Sequence, residues 1–485
     1  MTHPVSSSLP AERPSLGRKQ RGHHPPGPPW STAARNTLSF LRHALDFLLE
    51  MRECYGDTVS VPTLAGSLTL IFHPDGVRHV LQENHRNYNK DVPDYHALSL
   101  VLGRGLLTND GEVWLKQRRM IQPAFHREQV AAFGMLMTET ALRWAQRWET
   151  GSFIETNKPL ALTQEMSSLT LSIVGKALFG TDLSAETEDV GRALTTVNRL
   201  LAKGFYLPWV LSLPTPQRRR LHVARSTLYT VVEQIIRERR KHRERHGDLL
   251  EMLLEACDEE TGEGMADQQV RDEVLTLLLA GHETTANALS WTFYLLAQHP
   301  HVEAKLQEEY QQVLNGRPAL IEDLPQLPST RMVIEEAMRL YPPAWGLGRR
   351  ALGNDEIGGY TIPKGAYVLV FPFVTHRHPA FWERPDEFDP ERFSVKLSAG
   401  RHRFAYFPFG GGPRLCLGNQ FALYEVQLIL ATILSRYQLR LLSGTVVTPE
   451  PLVMLRPRGD LLMTVRRTPE MKRLLSYEKE GERPW

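Results

Sequence analysis

The residue with the most distinctive chemistry is Cys416, which stands between glycines just before a predicted helix. Those glycines, Gly410 and Gly418 among them, let the backbone approach a flat ligand and free amide N–H groups to point at the sulfur. A thiolate held in this way is a strong metal ligand. Arg414 adds a planar cation suited to a carboxylate on the same ligand, and Phe409 can pack beside the sulfur and restrict water. The pattern predicts a metal cofactor at Cys416.

Taken alone, a cysteine in a glycine-rich turn is more often a buried structural residue than a ligand. The stretch 409–418, however, matches every fixed position of the F-x-x-G-x-R-x-C-x-G signature of cytochrome P450 enzymes. Further motifs of that family follow its order along the chain: W-x-x-x-R at Trp114 and Arg118, the oxygen-activation motif at 280–285, E-x-x-R at 336–339, and the loop motif at 390–393. From about 25 to 467 the sequence therefore resembles a cytochrome P450, a haem-thiolate monooxygenase of the soluble bacterial type.

The resemblance implies that the cofactor is haem b, with the Cys416 thiolate as the axial ligand of the iron. Its two propionates need cationic partners from separate elements, and Arg118 and Arg414 match the family's positions. The family places another arginine on the strand after the E-x-x-R helix, and the spacing favours Arg349 over Arg350 for it. The residues expected against the haem are Trp114, Arg118, Arg349, Arg414, Phe409, Gly410, Gly418 and Ala280.

A long helix is predicted from about Asp267 to Gln298, with an acid and a hydroxyl side by side at its centre. The resemblance implies that Thr284 holds the hydrogen bonds around bound O2 and that Glu283 connects the site with solvent protons. These two residues are the predicted catalytic pair, and a partly buried polar kink is the structural alternative. His282 is expected to be structural or solvent-facing rather than an iron ligand.

Glu336 and Arg339, three residues apart on a helix, can meet on one face. Together with Arg392 they predict a partly buried charge network that fixes the segment carrying Cys416.

Substrate contacts implied by the family fall on stretches that are mostly apolar. The predicted pocket residues are Tyr95, Leu98, Phe205, Leu277, Ala344, Trp345, Leu347 and Met454. Such a lining suits a fatty acid, a terpenoid or a steroid-like molecule. Any single aromatic among them could equally be plain core. The segment 205–209 is predicted to be a mobile lid.

The elements that must position these residues are mainly helices, with short strands and turns near the N-terminus and after Pro342. The predicted fold class is mainly α with small β-sheets (α+β), and the resemblance implies the cytochrome P450 fold, a triangular helix-rich prism with a β-rich side. We expect a mobile Pro-rich leader at 1–24, a single domain at 25–467 and a C-terminal tail at 468–485.

The composition excludes several classes of protein. The chain has 485 residues, a net charge of +2 and three cysteines, so a disulfide scaffold, a zinc cluster and a nucleic-acid binder are all disfavoured. No apolar run approaches the length of a transmembrane anchor, and no secretory signal is visible. We therefore expect a soluble, cytoplasmic protein.

The resulting functional hypothesis is a monooxygenase that inserts one atom of O2 into a lipophilic small molecule by hydroxylation or epoxidation. Because residues 25–467 leave no room for a flavin or iron–sulfur module, electrons from NAD(P)H should arrive through a ferredoxin or flavodoxin-type donor and its reductase. Basic residues at 401–403 are expected to meet an acidic donor. A peroxide-using or rearranging haem-thiolate enzyme, or a haem-based sensor, is the alternative, and the pair Glu283 and Thr284 argues against both.

Overall fold

Apolar residues at helical spacing account for most of the observed structure. The computed structural model describes residues 23–151, 153–180, 187–206, 214–241, 247–258 and 260–471. Residues 1–22 of the predicted leader, 472–485 of the predicted tail and 207–209 of the predicted lid thus lie outside the described residues.

The helices in the described ranges run in the following order: α1 (Ala33–Tyr55), α2 (Pro74–Arg78), α3 (Pro93–Leu102), α4 (Gly111–Ile121), α5 (Arg127–Ala132), α6 (Gly134–Thr150), α7 (Leu162–Phe179), α8 (Thr187–Tyr206), α9 (Pro216–Lys241), α10 (Leu249–Glu255), α11 (Asp267–Gln298), α12 (Pro300–Leu314), α13 (Pro328–Leu340), α14 (Pro372–Thr375), α15 (Val395–Ser398) and α16 (Asn419–Leu434). The long helix predicted at the oxygen-activation motif and the helix predicted after Cys416 are both confirmed, as α11 and α16.

The strands are β1 (Thr58–Thr63), β2 (Gly66–Ile71), β3 (Tyr88–Asn89), β4 (Leu160–Ala161), β5 (Leu347–Ala351), β6 (Asp355–Ile357), β7 (Tyr360–Ile362), β8 (Tyr367–Val370), β9 (Tyr437–Leu441), β10 (Pro449–Pro451), β11 (Leu455–Pro457) and β12 (Leu462–Arg467). The largest sheet has the order β1-β2-β8-β5-β3, in which β2 and β8 are parallel and the other pairs antiparallel. A three-stranded sheet, β4-β12-β9, and the hairpins β6-β7 and β10-β11 complete the small sheets that the fold class predicts.

Helix α11 forms the centre of the main hydrophobic core. It is buried over most of its length and packs against α7, α9, α13 and α16, which together surround it with apolar side chains. A helix that is apolar on nearly every face is stable only in such an interior. The central helix therefore holds its polar residues, Glu283 and Thr284, in fixed positions deep inside the protein.

A second core joins α1 to the largest sheet, with Phe47, Leu48 and Phe371 among its buried members. Before α1 the chain contacts two strands: the Ser60 amide of β1 donates to the Pro26 carbonyl at 2.8 Å, and the Thr361 amide of β7 donates to the His23 carbonyl at 2.9 Å. None of the helices in the described ranges combines the length and the apolar character that crossing a bilayer requires.

Candidate active site

An internal cavity separates the middle of α11 from the loop that carries Cys416. All eight predicted cofactor residues line it: Trp114, Arg118, Arg349, Arg414, Phe409, Gly410, Gly418 and Ala280. Cys416 and Thr284 line it as well, from the loop and from the helix. The protein encloses the Cys416 side chain, and the accessible surface of that residue faces the cavity. The structure thus brings together the residues that the sequence motifs predicted at one site.

Backbone hydrogen bonds shape the loop around the sulfur. The Cys416 amide donates to the Phe409 carbonyl at 3.0 Å, and the Gly410 amide donates to the Phe407 carbonyl at 2.9 Å. Gly412 has φ +64°, and a Cβ there would lie 1.9 Å from the Leu81 carbonyl oxygen, so only glycine fits.

The environment of Cys416 acts on its thiol in two directions. Burial raises the pKa of the thiol, while a hydrogen bond from the Gly418 backbone and the charge of Arg118 oppose that rise. Arg118 is itself fixed by donating to the Leu415 carbonyl at 2.9 Å. A bound metal cation would stabilise the thiolate strongly enough to reverse the effect of burial.

Four cationic side chains line the cavity, namely Lys90, Arg118, Arg349 and Arg414, and the carboxylate of Asp110 forms an ion pair with Arg414. Burial and the neighbouring Arg349 hold the pKa of Lys90 well below its ordinary value, and burial lowers that of Arg414 to about 10. Because the basic side chains that line the cavity outnumber its carboxylates, the site is suited to a ligand that carries negative charge.

Hydrogen bonds and aromatic rings hold these cations in place. The Lys90 ammonium donates to the Leu107 carbonyl at 2.7 Å, and the Arg349 guanidinium donates to the Tyr95 hydroxyl at 3.0 Å. The Arg414 guanidinium lies 3.6 Å from the centroid of the Trp114 ring, close enough for a cation–π contact. Arg350, the alternative to Arg349, is half-buried and pairs with Asp91.

The two predicted catalytic residues on α11, Glu283 and Thr284, lie in different environments. The Thr284 hydroxyl faces the cavity and donates to the Ala280 carbonyl at 2.5 Å. Glu283 does not line the cavity and accepts a hydrogen bond from the Asn198 amide group on α8. Burial raises the pKa of Glu283 to about 7, although Arg456 and Asn198 act in the opposite direction.

His282, between the cavity face and α7, is buried and hydrogen-bonded to the Ser167 hydroxyl at 2.8 Å. Burial lowers the pKa of its imidazole to about 4. His282 is therefore a buried structural residue, which is the first of the two predicted alternatives.

The charge network predicted behind the Cys416 loop is fully formed. Arg339 binds Glu336 through two hydrogen bonds of 2.7 and 2.8 Å, and both side chains are 0% exposed. The Arg339 guanidinium also donates to the backbone carbonyls of residues 376, 385 and 387. The Nε atom of Arg392 lies 3.4 Å from Oε1 of Glu336. The Arg392 guanidinium also donates to the backbone carbonyls of residues 383 and 384. The network therefore ties α13 to the segment that leads into the Cys416 loop.

Five of the residues predicted to contact the substrate line the cavity, namely Tyr95, Leu277, Ala344, Leu347 and Met454. Two positions are corrected. Leu98 is buried in the main core and does not line the cavity. Trp345 packs in the second core, where its indole N–H donates to the Leu452 carbonyl at 3.0 Å. The backbone of Phe205 belongs to α8, but its side chain lies outside the described residues.

Comparison with known proteins identifies the family. A sequence model of the family described as cytochrome P450 matches residues 25–463. The chain belongs to the cytochrome P450 family. It is 38% identical over 435 residues to the cyclooctat-9-en-7-ol 5-monooxygenase of Streptomyces melanosporofaciens, covering 87% of this P450 and 92% of that enzyme. It is 33% identical to the pentalenene oxygenase of Streptomyces avermitilis, covering 88% and 94% of the two chains.

Solved structures agree with the sequence comparison. This P450 matches the crystal structure of the cytochrome P450DA heme domain with a TM-score of 0.83 and 29% identity, covering 93% of this chain and 99% of the other. The P450 fold predicted from the motifs is therefore confirmed, and the protein is a monooxygenase.

Members of this family use haem b, with electrons supplied from NAD(P)H through a partner. The cavity fits that cofactor in three respects: the Cys416 sulfur opens onto it, its lining is mostly apolar, and its cations outnumber its carboxylates. Cys416 would hold the iron, and Lys90, Arg118, Arg349 and Arg414 would hold the propionates. When bound, haem supplies the activation of O2.

Sequence reasoning missed two polar residues that the structure places at the site. Lys90 lies on the cavity wall, but a lone lysine in sequence reads as a surface residue. Asn198 touches Glu283 from α8. A signal for it was present, because Asn198 follows Leu194 by four residues and precedes Leu201 by three, on the apolar stripe of that helix.

Proposed function

We propose that this P450 hydroxylates or epoxidises a cyclic terpenoid. The observation that carries the proposal is the apolar wall formed beside Thr284 by Leu277, Ala344, Leu347 and Met454. The names of the relatives from Streptomyces, which act on cyclooctat-9-en-7-ol and pentalenene, support a terpenoid over the fatty acids and steroids that such a wall also suits.

We propose a role for each site residue from the environment of its side chain. Cys416 would hold the haem iron, and the cations of the cavity wall would bind its propionates. The Thr284 hydroxyl faces the cavity, where it would supply a proton for the activation of O2. Glu283, buried behind it with a pKa near 7, exchanges protons between solvent and Thr284.

The test has two stages. The reduced, CO-bound protein should show the Soret band of thiolate-ligated haem, and Cys416→Ser should lose it. A screen of cyclic terpenes, fatty acids and steroids, read by the spin-state shift of the haem, should then favour the cyclic terpenes. Absence of the thiolate band from the parent protein would refute the role of Cys416. Preferential binding of fatty acids or steroids would refute the substrate class.

We further propose that the electrons come from a ferredoxin or flavodoxin-type donor in the cytoplasm. The three cysteines are unpaired, as expected in a reducing compartment. Of the basic residues at 401–403, Arg403 is exposed and lines a small surface cavity together with residues of the Cys416 loop. Arg401 instead donates to the Arg392 carbonyl and stacks on Trp382, which is a structural role.

A further inference from the structure

We infer that Asn198 and Glu283 form a closed pair of an amide and a carboxylic acid, in which Asn198 is a positioning residue that holds the Glu283 carboxyl group between proton transfers. The inference rests on the proposed role of Glu283 as the proton source for Thr284. It assigns a function in the reaction to α8, a helix that none of the sequence motifs includes.

The geometry of Asn198 is the first support. The residue is 2% exposed, and its Nδ2 donates to Oε1 of Glu283. Its Oδ1 is buried and has no hydrogen-bond partner among the residues that the structure describes. A buried carbonyl oxygen without a hydrogen-bond donor is unfavourable, so this amide lacks one donor near its Oδ1.

The protonated Glu283 carboxyl supplies that proton. A carboxylic acid carries one O–H donor, whereas a carboxylate only accepts. In the neutral form the acid can donate to Asn198 Oδ1 while accepting from Asn198 Nδ2, so that both groups are satisfied by two parallel hydrogen bonds. The burial that disfavours a carboxylate at this position acts in the same direction.

The charged surroundings explain how the pair opens. Arg456 on β11 acts electrostatically on Glu283 and is itself bonded to Glu450 on β10 at 2.8 and 2.9 Å. On the side of α7, the neighbouring His282 is neutral and bonded to Ser167. When Glu283 passes its proton toward Thr284, the hydrogen bond to Asn198 Oδ1 is lost and the carboxylate is drawn toward Arg456. A proton taken up from water restores the acid and closes the pair.

Infrared spectroscopy of the haem-loaded protein tests the pair without any substrate. The C=O stretch of a buried protonated carboxyl should be present near neutral pH, shift in D2O and disappear in Glu283→Gln. In Asn198→Leu the same band should move to higher frequency, because its hydrogen bonds are lost. The control is Thr195→Ala, which removes an exposed hydroxyl of α8 bonded within its own helix and should leave the band unchanged.

Coupling efficiency provides the second readout. Product formed per NADPH should fall severalfold in Asn198→Leu, with peroxide rising, while haem content stays at the parent level. In a Glu283→Gln background the same substitution should add nothing, because a glutamine at this position can close the pair but has no proton to transfer, so the coupling that Asn198 supports is already lost. Should Asn198→Leu fail to fold, Asn198→Ser, whose hydroxyl is too short to close the pair, takes its place in both measurements.

Three outcomes would overturn the inference: no carboxylic acid band that depends on Glu283, a band unmoved by the substitution at Asn198, or effects of the two substitutions that simply add. A parent protein that yields no O2-dependent product but shows the band and its shift would contradict the proposed function and leave the pair standing.

Discussion

At the scale of single residues, Glu273 shows how burial sets chemistry. It lies on α11, is 0% exposed and accepts from the Leu106 amide at 2.8 Å, while its other carboxyl oxygen has no partner among the described residues. Burial, helped by the charge of Asp272, raises the pKa of Glu273 to about 8. The carboxyl is therefore mostly protonated at neutral pH, and it joins α11 to the loop before α4.

Replacing this acid by its neutral isostere should stabilise the protein above neutral pH. The pKa of Glu273 in the folded protein lies above the value of 4.5 expected on unfolding, so the folded state binds more protons and loses stability as pH rises from about 4.5 to about 8. Over this range the free energy of unfolding falls by at most about 1.4 kcal/mol per pH unit. Glu273→Gln removes this loss and retains an acceptor for Leu106.

Thermal unfolding of Glu273→Gln and the parent at a series of pH values measures the effect. The melting temperature of the variant should exceed that of the parent by a margin that grows up to about pH 8 and then levels off. A margin independent of pH would contradict the assignment of a neutral Glu273. Glu263→Gln, an exposed acid before α11, is the control.

The Thr284 hydroxyl permits a second prediction at this scale. Thr284→Ala should bind haem normally but form about tenfold less product per NADPH, the effect of losing roughly 1.4 kcal/mol of hydrogen bonding. Thr284→Ser keeps the hydroxyl and should retain most of the coupling. The measurement is the ratio of product to peroxide at saturating substrate. Equal ratios in parent and Thr284→Ala would exclude a role in proton handling.

Site residues that belong to a sequence motif could be predicted from the sequence. Site residues that reach the cavity only through contacts between distant segments could not. Cys416, Arg414 and Thr284 stand in motifs that fix their neighbours. Lys90 is a cavity residue only because other segments bury it beside Arg349 and Arg414. The residues next to Lys90 in the sequence do not indicate that distant segments pack against it.

At the scale of elements, the network of Glu336, Arg339 and Arg392 connects α13 to the segment before the Cys416 loop. The Arg339 guanidinium bonds to Glu336 and to three backbone carbonyls, so that its donors bind two parts of the chain at once. A buried pair of this kind need not add net stability, but removing one partner leaves a charge without compensation. The network therefore acts chiefly by fixing where the loop lies.

Glu336→Ala or Arg339→Ala should yield protein with little bound haem, because each leaves an unpaired buried charge that costs about 3–5 kcal/mol. Arg331→Ala is a matched control on the same helix, since the pair of Arg331 with Glu335 is partly exposed and contributes about 0–1 kcal/mol. Haem per protein chain, from the pyridine haemochrome spectrum, distinguishes the two classes. Normal haem content in Glu336→Ala would refute the role of the network.

The helices were easier to predict from the sequence than the question of which side chains face the cavity and which face the core. Helices α11 and α16 follow from long apolar periodicity between helix breakers, and the structure reproduces both. Leu98 and Trp345 were misplaced because an apolar side chain suits a core and a pocket equally well. Only the packing of α3 and of the second core decides which of the two it meets.

At the scale of the whole molecule, a net charge of +2 conceals local concentrations of charge. The donor that we propose must approach the haem edge near the Cys416 loop, and Arg403 and Arg127 are exposed cations in that region. Arg403 lines a small surface cavity with Phe409 and Leu415, and Arg127 donates to the Tyr424 hydroxyl of α16 at 3.3 Å. Such cations at the rim of an interface steer association more than they strengthen the final complex.

Reversal of charge at Arg403 should therefore slow electron delivery without altering the haem site. With an acidic ferredoxin, Arg403→Glu should reduce the rate of haem reduction roughly tenfold at low ionic strength, and the difference should shrink as salt screens the charges. Arg219→Glu, an equal change at an exposed position of α9, should leave the rate unchanged. Stopped-flow reduction under CO measures both. Equal slowing by the two variants would reflect net charge alone and would place the donor elsewhere.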